Sequence, residues 1–286
     1  MPIEIKNLSY TYMPGTPFEH KAVDDLSLRI EDGEFVGIIG HTGSGKSTLI
    51  QILAGLLKGA EGTVLIDGKD IFSKETNRQW LRQTVGVVFQ YPEYQLFEET
   101  VYKDVAYGPL KTGIDPREIE SRVRVALGLV GLDYDLYKDK SPFELSGGQK
   151  RKAAIAGVLA MEPKILIMDE PIAGLDPQGR ESLMDLVRDL NHVGTTILMI
   201  SHNMDGLAEY ATRVVMMHKS RLVMNGTPKE VFSDYEQVRR FGLDLPEAAK
   251  LAEKLRQRGF DIPRELIRYD EVYRWILEKL GGRNHA

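Results

Sequence analysis

Gly40-His41-Thr42-Gly43-Ser44-Gly45-Lys46-Ser47-Thr48 is the stretch on which the reading of this chain turns. It matches the pattern G-x-x-x-x-G-K-[ST] in full, and that pattern binds phosphate. Its glycines admit backbone angles closed to other residues, so successive N–H groups can face inward and form a concave anion cradle. A helix opening near Ser47 would add its positive end. Lys46 supplies a mobile charge for outer phosphates, and the Ser47 hydroxyl is placed for Mg2+. A glycine-rich turn that binds nothing is the alternative, and the flanking sequence argues against it.

Upstream, residues 35–39 form a short apolar run; downstream, Leu49, Ile52, Leu53 and Leu56 repeat at helical spacing. The order is therefore strand, loop, helix. Toward the N-terminus Ile3, Ile5 and Leu8 alternate with polar residues before Tyr10 and Tyr12, which reads as a half-exposed strand and a β-rich edge. A hairpin-like stretch at 62–71 and a buried-strand candidate at 85–89 follow. Residues 91–159 turn mostly helical, with Asp115-Pro116 as a helix start and Val123, Ala126, Leu127 and Val130 on one face. Strand signals return at 165–168, 195–200 and 214–217, separated by a helix that Asp176-Pro177 would cap and start. Strands alternating with helices predict a largely parallel sheet covered on both faces. Beyond about Phe232 the strands stop. Two amphipathic helices close the chain, one carrying Ala248, Leu251, Ala252 and Leu255 up to Gly259, the other Val272, Ile276 and Leu280.

The bulk properties narrow the function classes. A chain of 286 residues, 42% hydrophobic and 28% charged, can bury a sizeable core. A net charge of −5 supplies no global field toward nucleic acid or anionic lipid. The longest apolar or small-residue run, residues 153–161, falls far short of the roughly 20 needed to cross a bilayer as a helix. The absence of cysteine removes disulfides, thiolate metal sites and thiol catalysis together. Met1-Pro2-Ile3-Glu4 lacks a basic segment followed by an apolar one, so a cytosolic address is expected.

Further residues carry chemistry. Leu166-Ile167-Met168-Asp169-Glu170 is an apolar strand ending in two carboxylates, at the sheet edge where open α/β folds bind ligands. There Asp169 would hold Mg2+, directly or through water, and Glu170 could polarise an attacking water. In Leu145-Ser146-Gly147-Gly148-Gln149, Ser146 can cap a helix whose first N–H groups lie open between glycines. One chain needs only one phosphate loop, so this second anion-binding start suggests a nucleotide held elsewhere; an ordinary capped turn is equally compatible. His202, at a strand end, could touch a terminal phosphate, although a lone histidine is more often a surface or core residue. Gln90 follows the strand at 85–89 and suits a side chain that senses a metal site, or is simply a polar strand terminus. Tyr12 could stack on adenine, with Tyr10 as its rival. His20, His41, His192, His218 and His285 show no metal-ligand spacing.

Taken in order, the phosphate loop, Gln90, Leu145 through Gln149, Asp169-Glu170, Ala173-Gly174-Leu175-Asp176 and Ser201-His202 resemble the ATP-binding-cassette ATPases. The resemblance implies an α/β P-loop NTPase fold. Its RecA-like core would be residues 1–90 and 160–231 with a β-rich edge, its helical insertion subdomain residues 91–159, and a small α-helical C-terminal extension residues 232–286. It implies MgATP as ligand and ATP hydrolysis as activity. In such cassettes two copies pair head to tail, so that Ser146, Gly147, Gly148 and Gln149 of one complete the site at Lys46 of the other. By the same likeness Gln90 is the Q-loop glutamine, a metal and catalytic contact. Glu170 corresponds to the catalytic base, Asp176 to the aspartate at the dimer seam, and His202 to the histidine on the γ-phosphate.

A narrower likeness is carried by Tyr12-Met13-Pro14-Gly15-Thr16-Pro17-Phe18-Glu19, Gly40-His41-Thr42, Phe89-Gln90-Tyr91-Pro92-Glu93-Tyr94-Gln95-Leu96-Phe97, Ser141-Pro142-Phe143-Glu144-Leu145 and Ala154-Ile155-Ala156-Gly157-Val158-Leu159-Ala160. These are similar to one ATPase of the energy-coupling-factor (ECF) importers of vitamins and micronutrients, the CbiO-like A-component. That likeness implies a second ATPase as partner, in a heterodimer or homodimer, with a transmembrane T-component and a substrate-binding S-component. It places the chain on the cytoplasmic face of the membrane, with no nucleic acid involved. A short helix of the T-component would enter a groove near residues 90–97. Ile172, where threonine is common, and Lys150-Arg151-Lys152, in place of a more arginine-rich continuation, depart from the family pattern without touching the residues of chemistry. The competing readings are the ATPase of a cobalt, nickel or other importer, and a soluble cassette acting on ribosomes or DNA. The latter usually has two cassettes or a long coiled coil, neither of which is present here.

Overall fold

The computed structural model describes residues 1–281; the side chain of Leu280 and all of His285 lie outside the described part. In chain order the elements are β1 (Ile3–Tyr12), β2 (His20–Ile30), β3 (Phe35–Ile39), α1 (Lys46–Leu53), β4 (Glu61–Ile66), β5 (Lys69–Asp70), α2 (Arg78–Thr84) and β6 (Val85–Val88). Next come α3 (Val101–Lys111), α4 (Pro116–Leu129), α5 (Tyr134–Tyr137), α6 (Gly147–Leu159), β7 (Ile165–Asp169), α7 (Pro177–His192) and β8 (Thr196–Ile200). The chain continues through α8 (Met204–Tyr210), β9 (Arg213–His218), β10 (Arg221–Gly226), α9 (Pro228–Ser233), α10 (Tyr235–Arg240), α11 (Glu247–Gln257) and α12 (Tyr269–Gly281). They divide between two compact units, residues 1–34 with 47–200, and residues 35–46 with the chain from 201 onward.

The first unit holds an antiparallel sheet in the order β2-β1-β4-β5. Ile3 sits between Ile30 and Ile66. With Ile5 and Leu8 it faces the core while the intervening residues stay more open, as the alternation predicts. A parallel ladder of β8, β7 and β6 lies in the same unit, with Val88 beside Met168 and Asp169 beside Ile200. Every residue of β8 and all of β7 but Asp169 are buried, the unbroken apolar character of strands covered on both faces. Helices α3 to α6 fall in the stretch expected to be the helical insertion. Val123, Ala126 and Leu127 are its buried face on α4, behind an N-cap in which Asp115 accepts from Arg117 N–H.

Two expectations for this unit change in detail. Residues 91–100 are not helical except for a 3-10 turn at Pro92–Gln95, because Tyr91 takes φ 57 and Pro92 follows it. A short helix, α2, stands in the stretch between the hairpin-like segment and the strand at 85–89, which carried no assignment; Asn77 caps it by accepting from Gln79 N–H.

In the second unit β3 runs parallel to β9, Ile39 beside Met216, and β9 turns back into β10. The strand β10 has half-exposed residues and gave no clear apolar alternation. Among the described residues four helices rather than two follow it. The predicted pair corresponds to α11 and α12, joined by a small core of Ala248, Ala252, Ile262 and Val272 with Leu255, Trp275 and Ile276 against it. The short α9 and α10 come before, each entered through its own cap, Thr227 and Asp234.

Candidate functional site

The phosphate loop leaves β3 at Gly40, which takes φ +146. A Cβ there would lie 2.3 Å from the carbonyl oxygen of Met217, so the position admits only glycine. The loop then turns tightly, Ser44 N–H donating to His41 O at 3.1 Å. Lys46 is buried, and its ammonium donates to Gly40 O at 2.6 Å and His41 O at 2.9 Å. The same backbone stretch therefore holds the cation that would meet phosphate. Ser44 Oγ is buried and has no hydrogen-bond partner. A buried hydroxyl without a partner costs about 1–3 kcal/mol, which an acceptor oxygen entering the cradle would recover.

In the first unit, Ser47 stands exposed in the first turn of α1 and donates through Oγ to Asp169 Oδ2 at 3.2 Å. This contact ties the residue after the loop lysine to the end of β7, across a sequence separation no local pattern could bridge. Among the described residues no three His, Asp or Glu side chains gather as a metal cage. Mg2+ needs none: it is held by one or two protein oxygens together with phosphate oxygens and water, and Ser47 with Asp169 fits that donor set. Thr48 Oγ1 lies 3.3 Å from Tyr12 OH, and Tyr10 packs edge-on against Tyr12 with ring centroids 4.9 Å apart. Of the two rival tyrosines, Tyr12 is the one that reaches the loop helix.

Glu170 follows the strand at φ 49, and its N–H donates to Ile200 O at 3.0 Å. A non-glycine residue in the left-handed region marks a sharp departure from the strand, which sets the two acids apart from the alternation of a continuing β-ladder. Gln90 is exposed just beyond β6; the pairing of Val88 with Met168 brings it out at the same end of the ladder as Asp169. In the other unit His202 is exposed between Ser201, whose Oγ accepts from Asn203 N–H, and the Asn203 cap of α8.

Ser146 caps α6 in a reciprocal box. Gln149 N–H donates to Ser146 Oγ, and Ser146 N–H donates to Gln149 Oε1 at 3.0 Å. The Gln149 amide also donates to Tyr137 OH at 3.0 Å. Gly147 and Gly148 are exposed with open space around them. Asp176 caps α7, accepting from Gly179 N–H at 2.8 Å. A cleft of about 530 Å³ lies beside these segments, lined by Gly148, Arg151, Leu175, Asp176 and Gly179 among others, and none of residues 40–48 lines it.

One residue beside these segments was given no role by the sequence. Arg151 is 4% exposed. Its guanidinium donates to Ala173 O at 2.9 Å and to Pro171 O, and lies 3.9 Å from Glu93. Burial pulls its pKa down, and the Glu93 carboxylate opposes that. It fastens the helix that Ser146 caps to the turn that follows Glu170. In the sequence it was one of three consecutive basic residues, Lys150-Arg151-Lys152, which stood only as a departure from the family pattern away from the residues of chemistry.

Residues 23–173 match the ABC transporter family profile. An energy-coupling factor transporter ATP-binding protein EcfA2 from Symbiobacterium thermophilum is 53% identical over 100% of this chain and 99% of its own. The protein of the same name from Clostridium acetobutylicum is 51% identical, covering 98% of each chain. This chain belongs to the ABC transporter family, among the ECF transporter ATP-binding proteins. Solved structures agree with the ABC transporter assignment. The cbiO1 protein of Clostridium perfringens, described as part of the ABC transporter complex cbiONQ, is 40% identical with a TM-score of 0.72, covering 88% of this chain and 98% of that one. A dimeric ATP-binding cassette in a post-hydrolysis state with ADP and Pi is 28% identical with a TM-score of 0.69, covering 79% and 98%. The ECF ATPase is thus an α/β P-loop NTPase and a transporter ATPase, in keeping with the resemblance carried by its motifs. Among the described residues no helix is long and apolar enough to cross a membrane.

Proposed function

We propose that residues 40–48 bind MgATP and that the chain hydrolyses it to drive an ECF importer of vitamins or micronutrients. The observation that carries this reading is the Ser47–Asp169 contact at 3.2 Å, which joins the phosphate loop to the strand-end acid. The chemistry that bound Mg2+ supplies is neutralisation of charge on the outer phosphates. Lys46 exchanges its carbonyl contacts at Gly40 and His41 for phosphate oxygens. Tyr12, fixed at Thr48, offers its ring to the adenine. Glu170 takes the proton of the attacking water as the bond from the γ-phosphorus to the bridging oxygen breaks. His202 donates to the γ-phosphate, and Gln90 reports the state of the metal site to the insertion.

Each site is shared. The open N-terminus of α6, with Ser146, Gly147, Gly148 and Gln149, faces the nucleotide of a second ATPase, and Asp176 lies at the seam between the two. A T-component contacts the segment around residues 90–97, where Tyr94 is 83% and Phe97 57% exposed. An S-component carries the substrate, and the ATPase pair works peripherally on the cytoplasmic face of the membrane.

The experiment is Glu170→Gln. It is expected to keep ATP binding while losing most turnover, on the order of 100-fold or more, and to trap the closed dimer; near-normal hydrolysis would remove Glu170 from the base role. Purification of the intact complex tests the importer, and a complex without any transmembrane subunit would sink it.

A further inference from the structure

The chain beyond residue 232 has no part in the reading above, yet within its own compact unit it reaches the phosphate loop. After α10 the backbone turns through Gly242 at φ +70, and Gly242 N–H donates to Arg239 O at 2.8 Å. A Cβ built on Gly242 would lie 2.5 Å from His41 Nε2 and 3.2 Å from His41 Cε1. With the imidazole where it stands, a Cβ at this turn would overlap it, so a larger residue requires the His41 side chain to move. The preceding residue, Phe241, lays its ring against His218 with centroids 5.0 Å apart. His218 ends β9 next to Met217, whose carbonyl oxygen closes on Gly40. The tail therefore touches the second residue of the loop directly, and the first through the strand end behind it.

This turn is anchored from the other side. Arg239 pairs with Glu253 of α11 at 2.9 Å. Glu247 N–H at the start of α11 donates to Asp205 Oδ1, and Arg268 Nε donates to Ala208 O, both at 2.8 Å. Asp205 and Ala208 belong to α8, the helix that follows His202. The extension thus grips the loop that would hold the phosphates and the helix behind the histidine that would touch them.

We infer that the C-terminal extension buttresses the nucleotide site, and that Gly242 is a positioning residue which fixes His41, and with it the loop N–H groups, so as to set the affinity for ATP. This rests on reading residues 40–48 as the nucleotide loop. The added methyl of Gly242→Ala displaces the end of the His41 side chain and so removes the contact through which the turn holds the loop.

The test uses the full chain, assembled with its partners where turnover is measured. Gly242→Ala is expected to raise both the KM for ATP and the Kd for a fluorescent ATP analogue about threefold or more, while kcat moves less than about twofold. Gly259→Ala is the control. It lies in the same extension at φ +90 with nothing within 4 Å, so it carries the left-handed backbone cost without a contact, and ATP binding should not change. Combining Gly242→Ala with His41→Ala removes the clash, so the double variant should bind ATP as His41→Ala alone does. Should Gly242→Ala fail to fold, Phe241→Leu, which loosens the packing on His218, is expected to weaken ATP binding in the same direction. The inference is overturned if a folded Gly242→Ala binds ATP no worse than Gly259→Ala, if the double variant loses affinity additively, or if Phe241→Leu serves as the probe and binds as wild type. Lys46→Ala separates the two levels. If it binds ATP like wild type the nucleotide reading fails; if it abolishes binding while Gly242→Ala is silent, only the buttress fails.

Discussion

Gly40 and Gly43 occupy the same loop, both at positive φ, yet they answer to different constraints. Gly40 faces a carbonyl oxygen that a Cβ would approach to 2.3 Å, while Gly43, at φ +80, faces open space. Gly43→Ala is expected to cost only the left-handed backbone penalty, about 1 kcal/mol. Gly40→Ala must also push β9 away, and is expected to cost about 2 kcal/mol or more and to lose nucleotide binding. Urea midpoints with nucleotide titration distinguish them; equal losses would mean that the backing by Met217 is not what holds the loop. At this scale the motif residues were legible because each sits within a few positions of the others and the backbone itself is the ligand. Arg151 was not legible, since its burial depends on the carbonyls of Pro171 and Ala173 and on Glu93, which only the packing of α6 brings to it.

Among the elements, α6 shows how one helix serves two purposes. Its N-terminus stays open at Gly147 and Gly148 while its second turn is locked by Arg151. Arg151→Ala leaves Glu93 and two carbonyls without their partner in a dry setting, and is expected to destabilise the chain by about 3 kcal/mol. Arg151→Lys keeps the charge but not the planar fork, and should recover only part of that loss in urea unfolding. A variant as stable as wild type would show the clasp to be dispensable. The buried strands β7 and β8 were readable from their unbroken apolar runs. The segment at 91–100 was not, because its apolar and aromatic residues suggest a helix that Tyr91 and Pro92 break, and β10 was hidden by its half-exposed faces. Attachment of one element to another also sets a pH dependence. Burial raises the Asp205 pKa, with Glu247 N–H and Lys250 opposing and Glu247 and Asp244 adding to it. The folded state then binds the Asp205 proton more tightly than the unfolded chain does. Its contribution to stability is therefore greatest below about pH 4 and declines as pH rises through the raised value. Asp205→Asn keeps an acceptor for Glu247 N–H and removes the titration. Relative to wild type it should gain stability between about pH 4 and neutrality, as read from urea midpoints at several pH values; a constant difference across that range would refute the assignment.

For the whole molecule, the proposed unit of function is a pair of ATPases. Gly148 has open space around it, so Gly148→Asp should leave folding and ATP binding intact, while setting a carboxylate where the other ATPase would present a phosphate. In the Glu170→Gln background ATP is expected to double the mass seen by light scattering, and adding Gly148→Asp should abolish the doubling. Persistence of the dimer would move the α6 N-terminus away from the seam. What the sequence determined by itself was the phosphate loop, the ordering of motifs and hence the family, because short-range backbone chemistry demands particular residues at particular spacings. Only the tertiary structure decided that Ser47 meets Asp169, that Arg151 is a buried clasp, and that the turn at Gly242 closes on His41. Those contacts join residues far apart in the chain, and their energies depend on burial and approach distances that no local pattern encodes.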